Sequence, residues 1–205
     1  MGTVQAYSSS LAREQFLLNE TRIVARLHAD EHLGTEEIVA RVHDENLFQY
    51  KTERSLTKKA RGVCRRIDAL GNETLINLIA HGPAEQAAQV NMYAMMCSYR
   101  LVWEFMVNVI GEKYRVRDYS LQRYECSAFL DSLRAMDDGV AAWSDTTMNK
   151  TRQILVGSMA ATGMLSSVRS TELIPILLDM ELEEGIRRNG DDIVLPSFNC
   201  IAMGG

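Results

Sequence analysis

Residues 83–110, with the sequence PAEQAAQVNMYAMMCSYRLVWEFMVNVI, carry the strongest helical pattern in the chain. Pro83 stands at the start, where a proline fits the first turn of a helix. Apolar side chains then recur at helical spacing from Ala87 to Val109, which predicts a long core helix. The charged residues Arg100 and Glu104 lie within the stretch, so it does not match a membrane span, which needs about 20 apolar residues. We therefore expect a mainly α protein, with no membrane contact, built around this helix.

The composition agrees with a folded, helical chain. Of 205 residues, 46% are hydrophobic and 24% are charged, and only 3 are proline, as expected where helices predominate. The start of the chain lacks the uncharged apolar block of a secretory signal, so we expect a cytoplasmic protein. The 4 cysteines form no C-x-x-C pair and are expected to be reduced thiols, and the 4 histidines show no zinc-like spacing.

Helix start and stop signals divide the first half into several elements. The predicted helices are Leu11–Ala29, a short helix after Gly34, a helix with apolar residues from Leu56 to Leu70 that ends at Gly71, and a short helix that ends at Gly82. The polar segment 111–120 predicts a joint after the long helix. We therefore expect two domains: an N-terminal helical bundle, residues 1–112, and a C-terminal domain, residues 113–205.

The C-terminal domain combines helices with strand-like segments. The expected elements are helices at 120–133, 137–142 and 148–162, a strand at 165–170, a helix at 175–188 and a strand at 193–198. Compact helices followed by strands are typical of a winged helix-turn-helix, so we predict a bundle packed on such a unit with a small β hairpin. The same pattern also occurs as a neutral packing unit, and by itself it does not indicate DNA binding.

No enzyme signature is present in the sequence. The chain lacks the G-x-x-x-x-G-K-[ST] phosphate loop, the G-x-G-x-x-G dinucleotide motif and the G-x-S-x-G elbow. His28 and His32 are four residues apart, but no third metal ligand accompanies them. Asp137 and Asp138 match a helix cap better than a catalytic pair. We therefore predict a non-enzymatic protein with no catalytic residues, no metal and no cofactor.

One segment combines many cations in a chain whose net charge is −5. Between residues 51 and 66 the only acidic residue is Glu53, and the basic residues are Lys51, Arg54, Lys58, Lys59, Arg61, Arg65 and Arg66. Lys58, Arg61 and Arg65 are spaced at i, i+3 and i+7, so they share one helix face. Such a row can neutralise nucleic-acid phosphates. A solvated basic face that balances the many acids is an equal alternative.

Two further basic groups lie in the second half of the chain. The second basic group is Lys113, Arg115 and Arg117, with Tyr114 and Tyr119 among them. Arginines mixed with aromatic residues can hold a sugar-phosphate backbone or stack on bases. The third basic group is Lys150 and Arg152, on the helix expected to enter a DNA groove, and Arg169 on the expected wing. For both groups an ordinary solvated surface is the competing interpretation.

Several short stretches are similar to one known family. They are Phe16–Arg22 (FLLNETR), Trp103–Met106 (WEFM), Val140–Thr147 (VAAWSDTT), Gln153–Leu155 (QIL) and Thr162–Leu165 (TGML). Their order and spacing, with a tryptophan–serine pair, a capped helix and then a glycine turn, resemble the BrxA family of BREX bacteriophage-defence systems. The resemblance extends over nearly the whole chain.

The resemblance implies both a function and a set of partners. It implies a cytoplasmic component of a system that restricts phage, working beside a site-specific DNA methyltransferase, an alkaline-phosphatase-like protein and large ATPases. It also implies a first half similar to NusB-type helical bundles and an ability to bind double-stranded DNA. We therefore predict an accessory protein that binds duplex DNA mainly through phosphates, with little sequence preference. An adaptor that bridges other defence proteins and an RNA-binding NusB-like factor stay open as alternatives.

Overall fold

The computed structural model describes residues 6–200, and helices make up most of them. The α-helices are α1 (Leu11–Glu14), α2 (Leu18–Glu31), α3 (Thr35–Asp44), α4 (Glu53–Leu70), α5 (Glu73–His81), α6 (Ala84–Ser98), α7 (Arg100–Phe105), α8 (Glu112–Arg115), α9 (Arg123–Met136), α10 (Asp138–Ala141), α11 (Asp145–Ala161) and α12 (Met180–Arg188). A π-helical segment, Met106–Gly111, joins α7 to α8, and a 3₁₀ helix, Asp192–Phe198, follows α12. The prediction of a mainly α protein is therefore confirmed.

The chain divides into two compact units. The first unit is residues 17–98, and the second unit joins the residues before this segment to all residues from Tyr99 onward. The chain therefore passes from one unit to the other at Phe16–Leu17 and again at Ser98–Tyr99. The division expected after residue 112 falls inside the second unit.

Both passages between the units interrupt segments that the sequence predicts to be continuous helices. Gln15 and Leu17 adopt positive φ angles of 32° and 49°, so the predicted helix Leu11–Ala29 is in fact two helices. Tyr99 is extended, with φ −134° and ψ 107°, and separates α6 from α7. The Tyr99 hydroxyl donates a hydrogen bond to the carboxylate of Glu14, and both residues are buried in the second unit. The hydrogen bond between Tyr99 and Glu14 thus accompanies both helix breaks. Because it joins residues far apart in the chain, the helical periodicity of the sequence cannot predict it.

The first unit packs its helices around α4 and α6. Helix α2 lies against α4, α5 and α6, helices α4 and α5 also pack on α6, and α3 packs on α4. Val24, Val63, Leu75 and Tyr93, from four of these helices, are fully buried. As predicted, α4 ends immediately before Gly71, whose φ of 54° suits a residue without a Cβ. This packing buries one face of α4 and leaves the other to solvent.

A continuous helical rod runs from Arg100 to Arg115 in the second unit, through α7, the π-helical segment and α8. Gly111, expected to begin a joint, lies inside this rod with helical angles and is buried. A Cβ at this position would lie 3.2 Å from Oγ of Ser197. That hydroxyl donates a hydrogen bond of 2.8 Å to the carbonyl of Met106. Gly111 therefore permits the close approach of the 3₁₀ helix and does not break the rod.

The expected helices of the second half are present, whereas the strands are much reduced. Helices α9, α10 and α11 occupy the positions of the three predicted helices. Among residues 6–200, strand-like pairing is limited to two isolated antiparallel bridges, Ser120–Glu172 and Leu165–Leu173. The predicted terminal strand 193–198 is wrong, because these residues wind into the 3₁₀ helix. Val194 and Phe198, four residues apart, are both fully buried, as on one side of a helix. Apolar residues lie between them in the sequence, so this helical spacing cannot be distinguished from a buried strand.

The last helix of the second unit begins later than predicted. Helix α12 begins at Met180 and not at Pro175. The carboxylate of Asp179 accepts hydrogen bonds from the backbone N–H groups of Glu181 and Leu182, at 2.9 and 3.2 Å. An N-cap carboxylate next to the helix is a stronger start signal than a proline several residues earlier, which is compatible with extended chain as well.

Candidate nucleic-acid interface

A row of cations lies on the exposed face of α4. The row consists of Arg54, Lys58, Arg61 and Arg65, all of them exposed. They follow one another at intervals of four, three and four residues, which is the spacing of one helix face. Lys51, also exposed, lies just before the helix. We call these five residues the α4 basic face.

The opposite side of α4 determines this orientation. Leu56, Val63 and Ile67 are at most 2% exposed and belong to the core of the first unit. Because a helix that buries one apolar stripe turns its polar residues outward, the cations are brought together at the surface. Glu53 lies in the first turn of α4, where the helix dipole stabilises a carboxylate. The structure thus combines five of the seven cations of segment 51–66 into one surface.

Two basic residues of this segment do not belong to the α4 basic face. Arg66 is 0% exposed, so its guanidinium group is not available to a nucleic acid in this fold. Lys59 is half-buried: its Nζ lies 3.2 Å from the Tyr50 hydroxyl and 4.4 Å from the centroid of that ring, a cation–π contact. Burial, and then a hydrogen bond to Glu20, raises the pKa of Tyr50. Both cations were predicted as DNA-binding residues, and both are used within the first unit.

One member of the α4 basic face has a carboxylate partner. Nη1 and Nη2 of Arg61 donate to the two oxygens of Glu36 at 2.6 and 2.8 Å, a bidentate ion pair. The hydrogen bonds to Glu36 raise the pKa of Arg61. The two side chains are 47% and 72% exposed, and ion pairs this exposed contribute little to stability. A phosphate can therefore compete with Glu36 for this guanidinium.

The second basic group is not a surface cluster. Lys113 is only 9% exposed, and its Nζ donates to the carboxylates of Asp118 and Glu125 at 2.7 and 2.6 Å and to the carbonyl of Ser120 at 2.6 Å. Burial alone would lower the pKa of Lys113, but its hydrogen bonds to the two carboxylates outweigh burial and raise that pKa. Lys113 therefore ties α8 to the start of α9 and does not face solvent as a DNA contact.

The tyrosines of this group also point inward. Tyr114 is 0% exposed and donates a hydrogen bond of 2.9 Å to the carbonyl of Ile174. Its ring centroid lies 6.2 Å from that of Tyr119, which is half-buried. A buried ring cannot stack on a base, so residues 113–119 do not form the expected mixture of exposed arginines and aromatics. Arg115 and Arg117 are exposed.

The third basic group contributes to a pocket in the second unit. Arg152 and Arg169 line a pocket of about 410 Å³, together with Arg123. The walls come from the first turn of α9, from α11 and from the turn 165–170. None of the described residues that line it is acidic. Lys150, by contrast, is exposed on α11 and lies outside the lining. We call this pocket the arginine pocket.

Sequence reasoning did not predict the arginine pocket. Arg123 follows the second basic group in the sequence, whereas the fold brings it to Arg152 and Arg169. It is the first residue of α9, next to the N-cap Gln122, whose backbone N–H donates to the Glu125 carboxylate over 2.6 Å. The expected helix and wing placed Arg152 and Arg169 in one unit, but no local pattern related them to Arg123.

The buried cysteines are neutral thiols. Burial raises the pKa of Cys64 to about 12 and that of Cys126 to about 11, so both stay protonated near neutral pH. Within residues 6–200, no group of three His, Cys, Asp or Glu side chains is placed to hold a metal ion. No helix in the same range is both long and apolar enough to cross a bilayer.

Three curated relatives each carry the name BREX protein BrxA. The relative from Bacillus cereus (strain H3081.97) is 28% identical over 192 residues, which covers 93% of this chain and 95% of that protein. The relative from Paramagnetospirillum magneticum (strain ATCC 700264 / AMB-1) is 21% identical over 197 residues, with 96% of each chain covered. The relative from Escherichia coli O9:H4 (strain HS) is 23% identical over 189 residues, which covers 91% of this chain and 86% of that protein.

A solved structure shares the fold. The crystal structure of an uncharacterized protein from Magnetospirillum magneticum matches with a TM-score of 0.80 at 19% identity, covering 96% of this chain and 100% of that chain. At this identity the match speaks for the fold alone. The BrxA family model matches residues 5–190. Because that match spans most of the sequence, the chain belongs to the BrxA family.

Proposed function

We propose that this chain is a non-enzymatic accessory component of a BREX phage-defence system and that it binds double-stranded DNA through the α4 basic face. Its place in such a system is supported by the relatives, each of which is named a BREX protein. DNA binding is supported by one observation above all, the exposed row of cations along α4. The net charge of −5 fits binding that is confined to one face of the protein.

The length of the α4 basic face suits a phosphate backbone. Arg54 and Arg65 are eleven positions apart, which corresponds to about 16 Å of helix at about 1.5 Å per residue. The same length spans about five base-pair steps of a duplex at about 3.4 Å each. Within residues 6–200, Lys51, Arg54 and Lys58 form no ion pair, so their charge is available to an external anion. The row can therefore meet several phosphates at once.

Phosphate contacts of this kind predict weak sequence preference. They fix the position of a protein on a duplex but do not read its bases. Four or five phosphate contacts predict a slope of log affinity against log salt of about −3.6 to −4.5, because each contact contributes about −0.9. Binding by the α4 basic face should therefore be strong at low salt and fall steeply as salt is added.

The second unit has features that suit additional contacts with DNA. Helices α9, α10 and α11, followed by the bridge Leu165–Leu173, have the order of a winged helix-turn-helix. We propose that exposed cations of this unit, Lys150 on α11 and Arg115 and Arg117 at the end of the helical rod, add secondary phosphate contacts. We also propose that the helices of the first unit correspond to a NusB-like bundle. The α4 basic face carries the larger share because it is the longer row.

Fluorescence anisotropy with a labelled duplex of about 20 base pairs, measured over a salt series, tests the proposal. The test variant changes Arg54, Lys58, Arg61 and Arg65 to Ala. We expect it to lose most of the affinity at low salt and to reduce the slope by about 3 to 4, because each lost phosphate contact removes about 0.9. A second duplex of unrelated sequence should bind the wild type equally well.

A charge-matched variant provides the control. It changes Arg13, Arg41, Arg187 and Arg188 to Ala, so both variants lose four positive charges and carry the same net charge. The control should keep the wild-type slope. An equal loss in both variants would show that binding depends on overall charge and not on α4, and no wild-type binding at low salt would overturn the DNA proposal. Tighter binding of RNA than of duplex DNA in direct competition would favour the RNA-binding alternative.

A second function, as an adaptor between proteins, is favoured by exposed apolar side chains. Those found among residues 6–200 are Val116, Tyr124, Met136, Val168, Ile174, Leu177, Met180 and Ile193, and all belong to the second unit. Leu177 is 92% exposed and Met180 is 72% exposed. Exposed apolar groups can mark protein interfaces, and Leu177 and Met180 are three positions apart in the chain. We propose that the second unit binds another BREX protein, such as the methyltransferase, phosphatase-like protein or ATPase that the family resemblance implies.

Co-purification with the other BREX proteins, in high salt and after nuclease treatment, tests the adaptor function. High salt and nuclease remove associations that depend on DNA. We expect a Leu177→Ser, Met180→Ser variant to lose a partner that the α4 quadruple variant retains. If the α4 variant loses the same partner, the association runs through DNA, and the adaptor function is not supported.

A further inference from the structure

The arginine pocket holds positive charge that nothing in the described chain neutralises. Arg123, Arg152 and Arg169 all line it, and within residues 6–200 none of them forms an ion pair. Arg152 donates a long hydrogen bond of 3.5 Å to the amide oxygen of Asn149, which leaves its positive charge uncompensated. Three guanidinium groups around one cavity repel each other unless an anion joins them. The pocket is therefore built for a negatively charged ligand.

Guanidinium groups favour one class of anion in particular. Their planar forks donate paired hydrogen bonds that match the oxygens of a phosphate or carboxylate. Arg152 is half-buried on α11, and Arg123 is held at the first turn of α9, so two of the three groups stand on helices. Groups on helices are held more firmly than groups on loops. The helices thus fix the backbone positions from which two of the three groups reach the pocket.

The turn that carries Arg169 is held in place by backbone hydrogen bonds. The N–H of Leu121 donates to the carbonyl of Thr171 over 2.8 Å, and the N–H of Leu173 donates to the carbonyl of Tyr119 over 2.7 Å. These bonds attach the turn to the segment before α9. The backbone that carries the third guanidinium group is therefore ordered before a ligand arrives, which reduces the entropic cost of binding.

Most of the rest of the lining is apolar. Leu121, Cys126 and Leu165 line the pocket and are at most 4% exposed. Burial raises the pKa of Cys126 to about 11, so its sulfur is an uncharged part of the wall. Gln153 also lines the pocket, and within the described chain its carboxamide makes no hydrogen bond. An apolar wall with a free carboxamide suits a flat heterocyclic ring with polar edges.

The volume of the arginine pocket favours a ligand larger than a bare phosphate ion. At about 410 Å³ the pocket falls in the range of about 300–1,000 Å³ that is usual for small-molecule sites. A bare phosphate would occupy the arginine side and leave the apolar wall in contact with water. A ligand that joins a phosphate to a flat ring would use both parts of the lining.

We propose that the arginine pocket binds a nucleoside phosphate, with its phosphate on Arg123, Arg152 and Arg169 and its base on the apolar wall beside Gln153. This ligand is distinct from duplex DNA on the α4 basic face, and the pocket does not depend on that proposal. The same chemistry is offered by a free nucleotide and by the 5′-phosphorylated end of a DNA strand. Competition between labelled ATP and a 5′-phosphorylated strand distinguishes these two sources.

Isothermal titration calorimetry of the full chain with AMP and ATP is the direct test, with adenosine and inorganic phosphate as partial ligands. We expect saturable binding of AMP and ATP, with each partial ligand weaker by about tenfold or more, because each lacks one half of the contacts. Absence of AMP and ATP binding at millimolar concentrations would overturn the proposal. Equal binding of inorganic phosphate and AMP would also overturn it, because the apolar wall would then have no role.

Point variants locate the site and separate it from DNA binding. Arg152→Ala and Arg169→Ala should each weaken AMP and ATP binding by about tenfold or more. Lys150→Ala is the matched control for nucleotide binding, since Lys150 lies on the same helix but outside the lining; whatever it does to duplex binding, it should leave AMP and ATP binding unchanged. Arg169 is exposed on a turn, so its variant stays folded even if Arg152→Ala does not. Equal effects of Arg152→Ala and Lys150→Ala would contradict the proposal.

The two proposals can fail separately. The α4 quadruple variant should keep nucleotide binding, and the pocket variants should keep duplex binding. Competition of labelled ATP with a 5′-phosphorylated tetranucleotide, and with the same strand lacking the phosphate, identifies the source of the ligand. Stronger competition by the phosphorylated strand than by free ATP indicates a strand end, and the reverse indicates a free nucleotide. Equal competition by both strands would contradict recognition of the phosphate.

Discussion

Residues 51–66 and residues 113–117 are both rich in lysine and arginine, but the fold uses them in opposite ways. In the first segment, Lys58 and Arg61 project from α4 into solvent. In the second, Lys113 is buried between the carboxylates of Asp118 and Glu125. The difference follows from what surrounds each cation. A long helix with an apolar stripe turns its cations outward, whereas a cation at the end of a buried rod is neutralised by acids that follow it in the chain.

The largest expected effect in this comparison is on stability, at Lys113. Lys113→Met leaves the carboxylates of Asp118 and Glu125 close together without their counter-charge. We expect the free energy of unfolding to fall by about 2–4 kcal/mol, somewhat less than when every charge of an ion pair is buried, because the Asp118 carboxylate is 48% exposed. Urea unfolding followed by circular dichroism measures this change.

Arg115→Ala provides the comparison for Lys113. Arg115 is exposed, and its ion pair within residues 6–200 is with Glu112, three residues before it on the same helix. Its loss should change the free energy of unfolding by less than about 0.5–1 kcal/mol. Equal stability of the two variants would mean that Lys113 contributes no more to stability than an exposed arginine. The contrast between the exposed cations of α4 and the buried Lys113 would then not be supported.

The second prediction sharpens the comparison within α4 itself, at the neighbours Arg65 and Arg66. Arg66 is fully buried, so Arg66→Met should lower the free energy of unfolding by about 1–3 kcal/mol by leaving buried partners unsatisfied. Arg65→Ala should change stability by less than about 0.5 kcal/mol but reduce the salt slope of DNA binding by about 0.9. Urea unfolding and anisotropy are measured on both variants. We expect Arg66→Met to change mainly stability and Arg65→Ala to change mainly DNA binding. Similar results for both variants would contradict the burial of Arg66 and the exposure of Arg65.

Much of the fold could be predicted because it depends on local patterns. The apolar period from Leu56 to Leu70 places α4 and its exposed cations, and Gly71 marks its end. By contrast, the breaks at Leu17 and Tyr99 occur in residues that helices tolerate well. These breaks accompany a buried hydrogen bond between residues far apart in the chain, which a local pattern cannot contain.

The candidate sites divide in the same way. The α4 basic face is local, since its members share one helix, and the spacing of Lys58, Arg61 and Arg65 predicts it. The burial of Lys113 and the assembly of the arginine pocket depend on residues from different elements. Arg123 has no sequence feature that relates it to Arg169. Sequence therefore identifies rows of residues on one helix more readily than pockets.

A smaller effect is expected at Glu36, the carboxylate paired with Arg61 of the α4 basic face. Glu36→Gln releases Arg61 from its bidentate ion pair. We expect duplex affinity to rise by about 1.5- to 5-fold, because an exposed ion pair holds its partners only weakly. The midpoint of urea unfolding should change little.

Glu45→Gln is the matched control for Glu36→Gln, because Glu45 also pairs with an exposed arginine of the first unit, Arg41. It removes the same charge from a carboxylate whose partner, Arg41, does not belong to the α4 basic face, and it should leave DNA affinity nearly unchanged. Anisotropy at one low salt concentration compares the two variants. A similar gain in both would mean that overall charge, and not the freedom of Arg61, controls binding.

The smallest effect concerns the pH dependence of stability and tests the ion pair between Lys113 and Asp118 through its carboxylate. The hydrogen bond from Lys113 lowers the pKa of Asp118 in the folded protein, so between the folded and unfolded pKa values the unfolded chain binds more protons. The stabilisation by Asp118 is therefore complete above about pH 4, the range where an ordinary Asp titrates, and is lost as pH falls through the folded pKa. Urea unfolding from about pH 6 to about pH 3 should show a weaker pH dependence in Asp118→Asn than in the wild type. Because Asp118 is exposed, the difference is small, and identical pH profiles would mean that Glu125 alone compensates the charge of Lys113.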